Sequence, residues 1–261
     1  MNPGGELVNI AAALARQAGD LVHSGRLSGN VEVSTKASPV DLVTQWDRAS
    51  EELIVTGLRR LRPDDAIIGE EGAAHLGTSG VEWHVDPIDG TTNFAYGLPG
   101  YAVSIGATDS SGPLAAAVYL PTTRELFTAT RGGGAFLGAI PLTGPGRADS
   151  LDHALVATGF AYTPERRAAQ GRRIGSMLPH VRDIRRLGAA AADLCHVAAG
   201  RLDAYFEEGL NSWDMVAGLL IATEAGAVAS DFSGGPARPA EIVVSSPGLL
   251  PALRDLISGN P

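Results

Sequence analysis

The sequence has little of what marks secreted, membrane or nucleic-acid-binding proteins. It contains one cysteine, Cys195, which excludes an intramolecular disulfide and makes a reducing compartment the expectation. Basic residues are in deficit: 20 Lys and Arg face 29 Asp and Glu, a formal charge of −9. That balance argues against a protein that must neutralise the phosphates of a nucleic acid. No stretch approaches the roughly 18 apolar residues of a membrane span. The apolar run at 11–15 has no basic segment before it and meets Arg16 at once, so a secretory signal is not expected. Internal repeats and low-complexity linkers are also lacking. What remains is an ordinary globular composition, 44% hydrophobic and 19% charged, in 261 residues. A chain of that length buries roughly 70–75% of its unfolded surface and needs no disulfide or metal staple. The expectation is a cytoplasmic globular protein.

Leu7, Ile10, Ala11, Leu14, Ala18, Leu21 and Val22 recur at helical spacing, with Gly25 and Gly29 as stops. A second helix is expected after Asp47, carrying Leu53, Ile54, Leu58 and Leu61, with Pro63 ending it and Thr44 and Asp47 spaced for a capping box. Short apolar runs then predict strands at 66–68, 83–85, 101–107, 114–120 and 125–130. Strands are also predicted at 154–158, 181–185, 202–207 and 241–245. Between them lie helices at 164–177, 190–199, 214–225 and 249–257. A strand-rich meander followed by βαβ-like alternation predicts two lobes, 1–148 and 149–261, without a flexible linker, acting as one catalytic unit over 1–261.

Chemistry concentrates where strands end. An apolar strand runs into Asp86, Pro87 cannot continue a ladder, and Asp89 stands three residues on. Gly90 lets backbone approach a ligand, and Thr91, Thr92 and Asn93 open what reads as a helix start suited to an anion. Two aspartates about 4 Å apart would repel by roughly 4 kcal/mol at an effective dielectric near 20, so a shared proton or a cation must neutralise them. All-oxygen ligands select hard ions such as Mg²⁺. Alone, this segment is an ordinary turn after a strand. Glu70 and Glu71, also just past an apolar strand, and Asp214 at a helix start give three acidic elements at such ends, where ligands of α/β sheets gather.

Together these segments resemble the inositol monophosphatase family: Gly69-Glu70-Glu71, then Asp86-Pro87-Ile88-Asp89-Gly90-Thr91-Thr92-Asn93-Phe94, then Trp213-Asp214. Residues 36–47, 185–194 and 200–207 resemble the family too, so the similarity spans most of the chain in order and spacing. The resemblance implies an α/β (α+β) fold, layered α-β-α-β-α in the sugar-phosphatase manner, commonly a homodimer, that hydrolyses phosphomonoesters with two to three Mg²⁺ ions. Carried over, Glu70, Asp86 and the Ile88 carbonyl would hold one Mg²⁺. Asp86, Asp89 and Asp214 would hold a second, and a third would sit near Glu70 through water. In-line attack by water with no phosphoenzyme is implied, with Thr91 and Asp47 orienting and deprotonating it and Glu70 acting through a nearby water. The Gly90 and Thr91 amides would bind phosphate oxygens, beside Asp89 and Asp214.

For the alcohol half of the substrate, Glu207 matches the position that accepts inositol hydroxyls, with Gly188, Ala189 and Ala190 lining the pocket and Arg185 near it. Thr92 stands where relatives acting on 3′-phosphoadenosine phosphates or histidinol phosphate often carry a basic residue, which favours a simple polyol phosphate such as inositol 1-phosphate. Fructose 1,6-bisphosphate stays open, with the Arg172/Arg173 and Arg185/Arg186 pairs as candidate clamps. Lithium inhibition also follows from the resemblance. Other chemistries lack support: the six histidines show no metal spacing, Cys195-His196 are mere neighbours, and Gly132-Gly133-Gly134 lacks the Lys-Ser/Thr of a P-loop. A protein-interaction role, in which the acidic surface meets a basic partner, is the alternative from outside enzymology.

Overall fold

A computed structural model describes residues 3–36 and 39–259. Ala37 and Ser38, inside the 36–47 segment singled out above, lie outside the described residues. Helix α1 (Pro3–Leu27) buries Leu7, Ala11, Leu14, Ala15, Ala18 and Val22 along one face. A short antiparallel pair, β1 (Val33–Thr35) and β2 (Leu42–Thr44), leads into α2 (Gln45–Leu61). The capping box of α2 forms as the spacing predicts: Asp47 Oδ2 accepts from the Thr44 amide (2.8 Å), and Thr44 accepts from the Trp46 amide (3.1 Å).

Next come β3 (Ala66–Gly69), β4 (Ala74–His75), β5 (Glu82–Asp89), α3 (Thr91–Tyr96), β6 (Ala102–Asp109), β7 (Gly112–Leu120), β8 (Glu125–Thr130), β9 (Gly134–Leu137) and β10 (Ile140–Pro141). The chain then forms β11 (Leu155–Thr158), α4 (Pro164–Met177), β12 (Asp183–Arg185), α5 (Ala190–Ala198), β13 (Ala204–Glu208), α6 (Ser212–Glu224), β14 (Val228–Ser230), β15 (Glu241–Ser245) and α7 (Leu250–Ile257). Eight strands make one sheet in the order β10-β9-β8-β7-β6-β5-β3-β4, antiparallel except for β3 with β5. Five make a second, β12-β11-β13-β15-β14.

Three cores fix the layering. Leu14, Ile54 and Leu58 of α1 and α2 meet Trp83 and Ile105 on one face of the large sheet. Leu194 and Ile221 of α5 and α6 lie between the sheets, against Phe127 on one side and Tyr205 and Val244 on the other. Met177, Leu253 and Ile257 of α4 and α7 cover Val156, Phe206 and Val243 on the outer face of the small sheet. The order helix, sheet, helix, sheet, helix is the expected α-β-α-β-α arrangement of an α+β protein. With helices on both faces, β6 and β7 are buried on both, hence their largely apolar runs.

Four expectations need correction. Helix α1 does not stop at Gly25; the Trp46 indole packs on that glycine, where a Cβ would overlap the ring, and the chain turns only at Gly29 (φ 77°). Strand β5 does not end at Asp86 but runs to Asp89, its register against β6 shifting between those residues. The bulge takes Pro87 out of the ladder, so its missing N–H costs nothing, and Ser50 donates to its carbonyl (3.0 Å). The second sheet is mixed: β11 pairs parallel with β12 and β13, whereas β15 pairs antiparallel with β13 and β14. Strands β1, β2, β4, β9, β10 and β14 were not expected at all. They are two to four residues long, and β1 and β10 are exposed throughout, so no apolar pattern marks them.

Candidate active site

Register brings the first two acidic elements together. Strands β3 and β5 run parallel with Gly69 opposite Val85, so Glu70 emerges beside Asp86, its amide donating to the Val85 carbonyl (3.1 Å). Strand β6 brings the third. Ser104, paired with Asp86 across the ladder and fully buried, donates to the Trp213 carbonyl (3.2 Å) and so pins the first turn of α6, which carries Asp214. Asp214 in turn accepts from the Asn211 amide (2.6 Å). Asp86 therefore lies against both Glu70 and Asp214.

Asp89 reaches across the molecule. Its carboxylate accepts from the amides of Ala190 (3.0 Å), Ala191 (2.7 Å) and Ala192 (3.4 Å) in the first turn of α5. The N-cap of α5 is Ala189, which offers no side-chain acceptor, so a residue about 100 positions earlier in the chain caps this helix. Gly90 makes that approach possible. It caps α3 in the left-handed conformation (φ 89°), and a Cβ there would stand 3.1 Å from Ala189 Cβ, Gly100 O and Gly188 O. Asn93 completes the joint, donating to the Gly100 (2.8 Å) and Leu187 (2.7 Å) carbonyls.

Beside the acids stands a polar relay. Thr91 Oγ1 lies 3.1 Å from Asp47 Oδ1 and 3.0 Å from the Ile88 carbonyl, within donating distance of either. Asp47 divides its work: Oδ2 caps α2, while Oδ1 meets Thr91. Burial pushes the Asp47 pKa up to about 6, against the opposing pull of Thr44. Asp86 and Asp89 hold their protons well above the ordinary carboxylate range, first because they are buried and then because of the neighbouring carboxylates. Asp214 is raised for the same reasons.

At the rim, Lys36 bridges Glu70 Oε1 (2.9 Å) and Glu71. Burial alone would depress its ammonium, but the two carboxylates more than offset this and raise it. Among the described residues no three His, Cys, Asp or Glu side chains enclose a point where a metal ion would sit: Glu70 is drawn to Lys36, Asp89 to α5 and Asp214 to Asn211. The donor chemistry nevertheless fits a hard divalent cation. Glu70, Asp86, Asp89, Asp214 and the Ile88 carbonyl offer only oxygen, and clustered buried carboxylates with raised proton affinity call for positive charge.

Glu207 stands at the far wall, near Asp214, Asp193 and Arg186. Burial lifts its pKa to about 7, opposed by the hydroxyl of Tyr205. The Gly188 carbonyl and the Ala189 methyl stand against Gly90, and the Ala190 amide donates to Asp89. Arg185 is not brought to the cluster: it turns to Asp183 and the Ile184 carbonyl (3.0 Å), while the charges of Arg186 and Arg166 act on Glu207.

Two contributors were absent from the sequence-based list. Ser104 looks like any residue of an apolar strand, and no local signal distinguishes it. Glu51 accepts from the amides of Glu71 (2.9 Å) and Ala73 (3.0 Å), fastening the loop that carries Glu70. An acid three residues before Ile54, on the apolar face of α2, was a readable sign of it.

Comparison with known proteins places the chain among relatives of one family. A family model described as inositol monophosphatase family matches residues 5–258. "Nus factor SuhB" of Salmonella typhimurium is 44% identical over 232 residues, covering 88% of this chain and 86% of the relative. "Inositol-1-monophosphatase" of Mycobacterium leprae is 41% identical over 263 residues, covering 94% and 90%. Among solved structures, the extragenic suppressor protein SuhB of Bartonella henselae superposes with a TM-score of 0.91 at 35% identity, covering 98% of this chain and all of that one. The Thermotoga maritima IMPase gives 0.89 at 30% identity, covering 98% of each. By sequence and by fold, the chain belongs to the inositol monophosphatase family.

Proposed function

We propose that this protein hydrolyses a small polyol phosphomonoester, inositol 1-phosphate foremost, with Mg²⁺, as one catalytic unit spanning residues 1–261. The observation that carries the reading is the meeting of Glu70, Asp86, Asp89 and Asp214 beside the Asp47–Thr91 relay. Glu70, Asp86, the Ile88 carbonyl, Asp89 and Asp214 would hold two to three Mg²⁺ ions. When bound, Mg²⁺ supplies Lewis-acid stabilisation of the charge that builds on phosphoryl oxygens.

The chain's own groups do the rest. The Gly90 and Thr91 amides, at the start of α3, bind the phosphate oxygens. Thr91 Oγ1 accepts from the attacking water and passes its proton to Asp47 Oδ1, whose pKa near 6 suits a base at neutral pH. Glu70 assists through a nearby water. Water attacks in line and no phosphoenzyme forms. Glu207 accepts hydroxyls of the alcohol, with Gly188, Ala189 and Ala190 framing it.

A homodimer, a cytoplasmic setting and lithium sensitivity belong to the same reading. The helices of the described residues include none long and apolar enough to cross a membrane. Fructose 1,6-bisphosphate, 3′-phosphoadenosine phosphate and histidinol phosphate are the competing esters. A protein-interaction role has its own support, since relatives at 44% identity carry the name Nus factor.

The test is phosphate release from these four esters with and without Mg²⁺, with Asp89→Asn as control. Mg²⁺-dependent release favouring inositol 1-phosphate and lost in Asp89→Asn supports the proposal. Preference for another ester retires the substrate. No release from any ester by folded protein retires the catalytic reading and advances the interaction role.

A further inference from the structure

Strand β13 places Tyr205 and Glu207 two residues apart, on the same face of the second sheet. The Tyr205 hydroxyl donates to Glu207 Oε2 at 2.6 Å, and the tyrosine is fully buried. On the neighbouring strand, Thr158 of β11 stands opposite Phe206, so the next residue, Gly159, lies beside Glu207. A Cβ built on Gly159 would overlap the Glu207 carboxylate itself. The backbone of Gly159 is not in the left-handed region, so space for the carboxylate, rather than conformation, requires glycine there. Two independent contacts, one a bond and one a close packing, therefore leave the Glu207 carboxylate a single place to stand.

We propose that Tyr205 is a positioning residue, which with the bare backbone of Gly159 fixes the Glu207 carboxylate as an acceptor for hydroxyls of the substrate alcohol. Neither Tyr205 nor Gly159 touches the reacting phosphate, so their effect falls on choice of alcohol and not on hydrolysis as such. A carboxylate free to swing loses part of each bond to the entropy of being held, whereas one already held does not. The inference rests on the reading of Glu207 as the polyol-binding residue, and it adds what makes that residue selective.

The experiment compares steady-state kinetics of the Mg²⁺-loaded enzyme on inositol 1-phosphate and on 4-nitrophenyl phosphate, whose leaving group carries no further hydroxyls. In Tyr205→Phe the KM for inositol 1-phosphate rises about tenfold, the worth of one charged hydrogen bond, while kcat stays within about twofold. Both constants for 4-nitrophenyl phosphate stay unchanged. Gly159→Ala, which leaves the tyrosine in place and pushes directly on the carboxylate, gives the same split. A crystal structure of either variant shows the Glu207 carboxylate displaced.

Equal losses on both esters in both variants would make the residues merely structural and overturn the proposal. So would unaltered KM for inositol 1-phosphate in an enzyme that does distinguish the two esters. If the unaltered enzyme does not distinguish them and Glu207→Gln changes nothing, the polyol reading of Glu207 falls and takes the proposal with it. The displaced carboxylate in the crystal would then mark the substrate reading, rather than the contact, as the failed step.

Discussion

Asp89, the last residue of β5, accepts the amide of Ala191 at 2.7 Å from 102 positions further along the chain. The carboxylate proposed to hold a cation thus also caps α5, which lies between the two sheets. The two duties separate by substitution. Asp89→Asn keeps one oxygen for the α5 amides but sets an NH2 group against the other donor. Without Mg²⁺ it is expected to be somewhat less stable than the unaltered protein, and inactive. Asp89→Ala loses the cap and is expected to be less stable than Asp89→Asn by about 1–2 kcal/mol. Urea unfolding of the two variants, alongside phosphate release, checks both statements.

Carboxylates whose folded pKa is raised make the metal-free protein more stable in acid. Asp47 near 6 and Glu207 near 7 bind protons in the folded state that the unfolded chain, with values near 4, has already released. Asp86, Asp89 and Asp214 shift in the same direction. Stability therefore falls as pH rises through the folded values, and the penalty is complete above them. The thermal midpoint in chelator is expected to climb between pH 8 and pH 5.5. Mg²⁺ should raise it most at pH 8, flattening the profile. A metal-free midpoint that falls on acidification over this range would contradict the assignment.

Removing the Lys36 charge leaves Glu70 and Glu71 without their shared counter-ion. Lys36→Met is expected to lower the Mg²⁺ concentration for half-maximal activity by roughly threefold or more, because a fixed positive charge no longer opposes the ion. Titration of activity with Mg²⁺ at low ionic strength reads this directly, and an increase would count against it.

Thr91 Oγ1 lies within donating distance of Asp47 and of the Ile88 carbonyl. Thr91→Ala is expected to reduce kcat by about a hundredfold, the usual weight of a positioned proton path, while Thr91→Ser retains most of the rate. Equal loss in both variants would move the role from the hydroxyl to the methyl group's packing.

Much of this was legible because it was local. Thr44 and Asp47 announce a cap three residues apart, and the runs in β6, β7 and β15 are long enough to declare themselves. The acids were legible as a resemblance and as strand ends. What escaped depended on partners far along the chain. Nothing near Gly25 says that Trp46 packs on it, and nothing near Pro87 says that a bulge will excuse it. Arg185 and Arg186 are adjacent in sequence, yet Arg185 pairs with Asp183 while the charge of Arg186 acts on Glu207. The α5 start did leave a trace: an alanine where a capping side chain is usual implies an acceptor from elsewhere.

Gly90 has one more implication. With the Gly100 and Gly188 carbonyls and the Ala189 methyl each 3.1 Å from where a side chain would begin, closer than van der Waals contact, the segment carrying Asp89 and the start of α5 touch at the proposed site. A half-molecule, or a refolding intermediate whose halves have formed but not docked, holds Asp89 without its helix and the helix without its acid. Turnover during refolding therefore should lag behind the recovery of secondary structure, and its onset times the moment of docking. The proposed catalytic centre would then be the molecule's own report that assembly has finished.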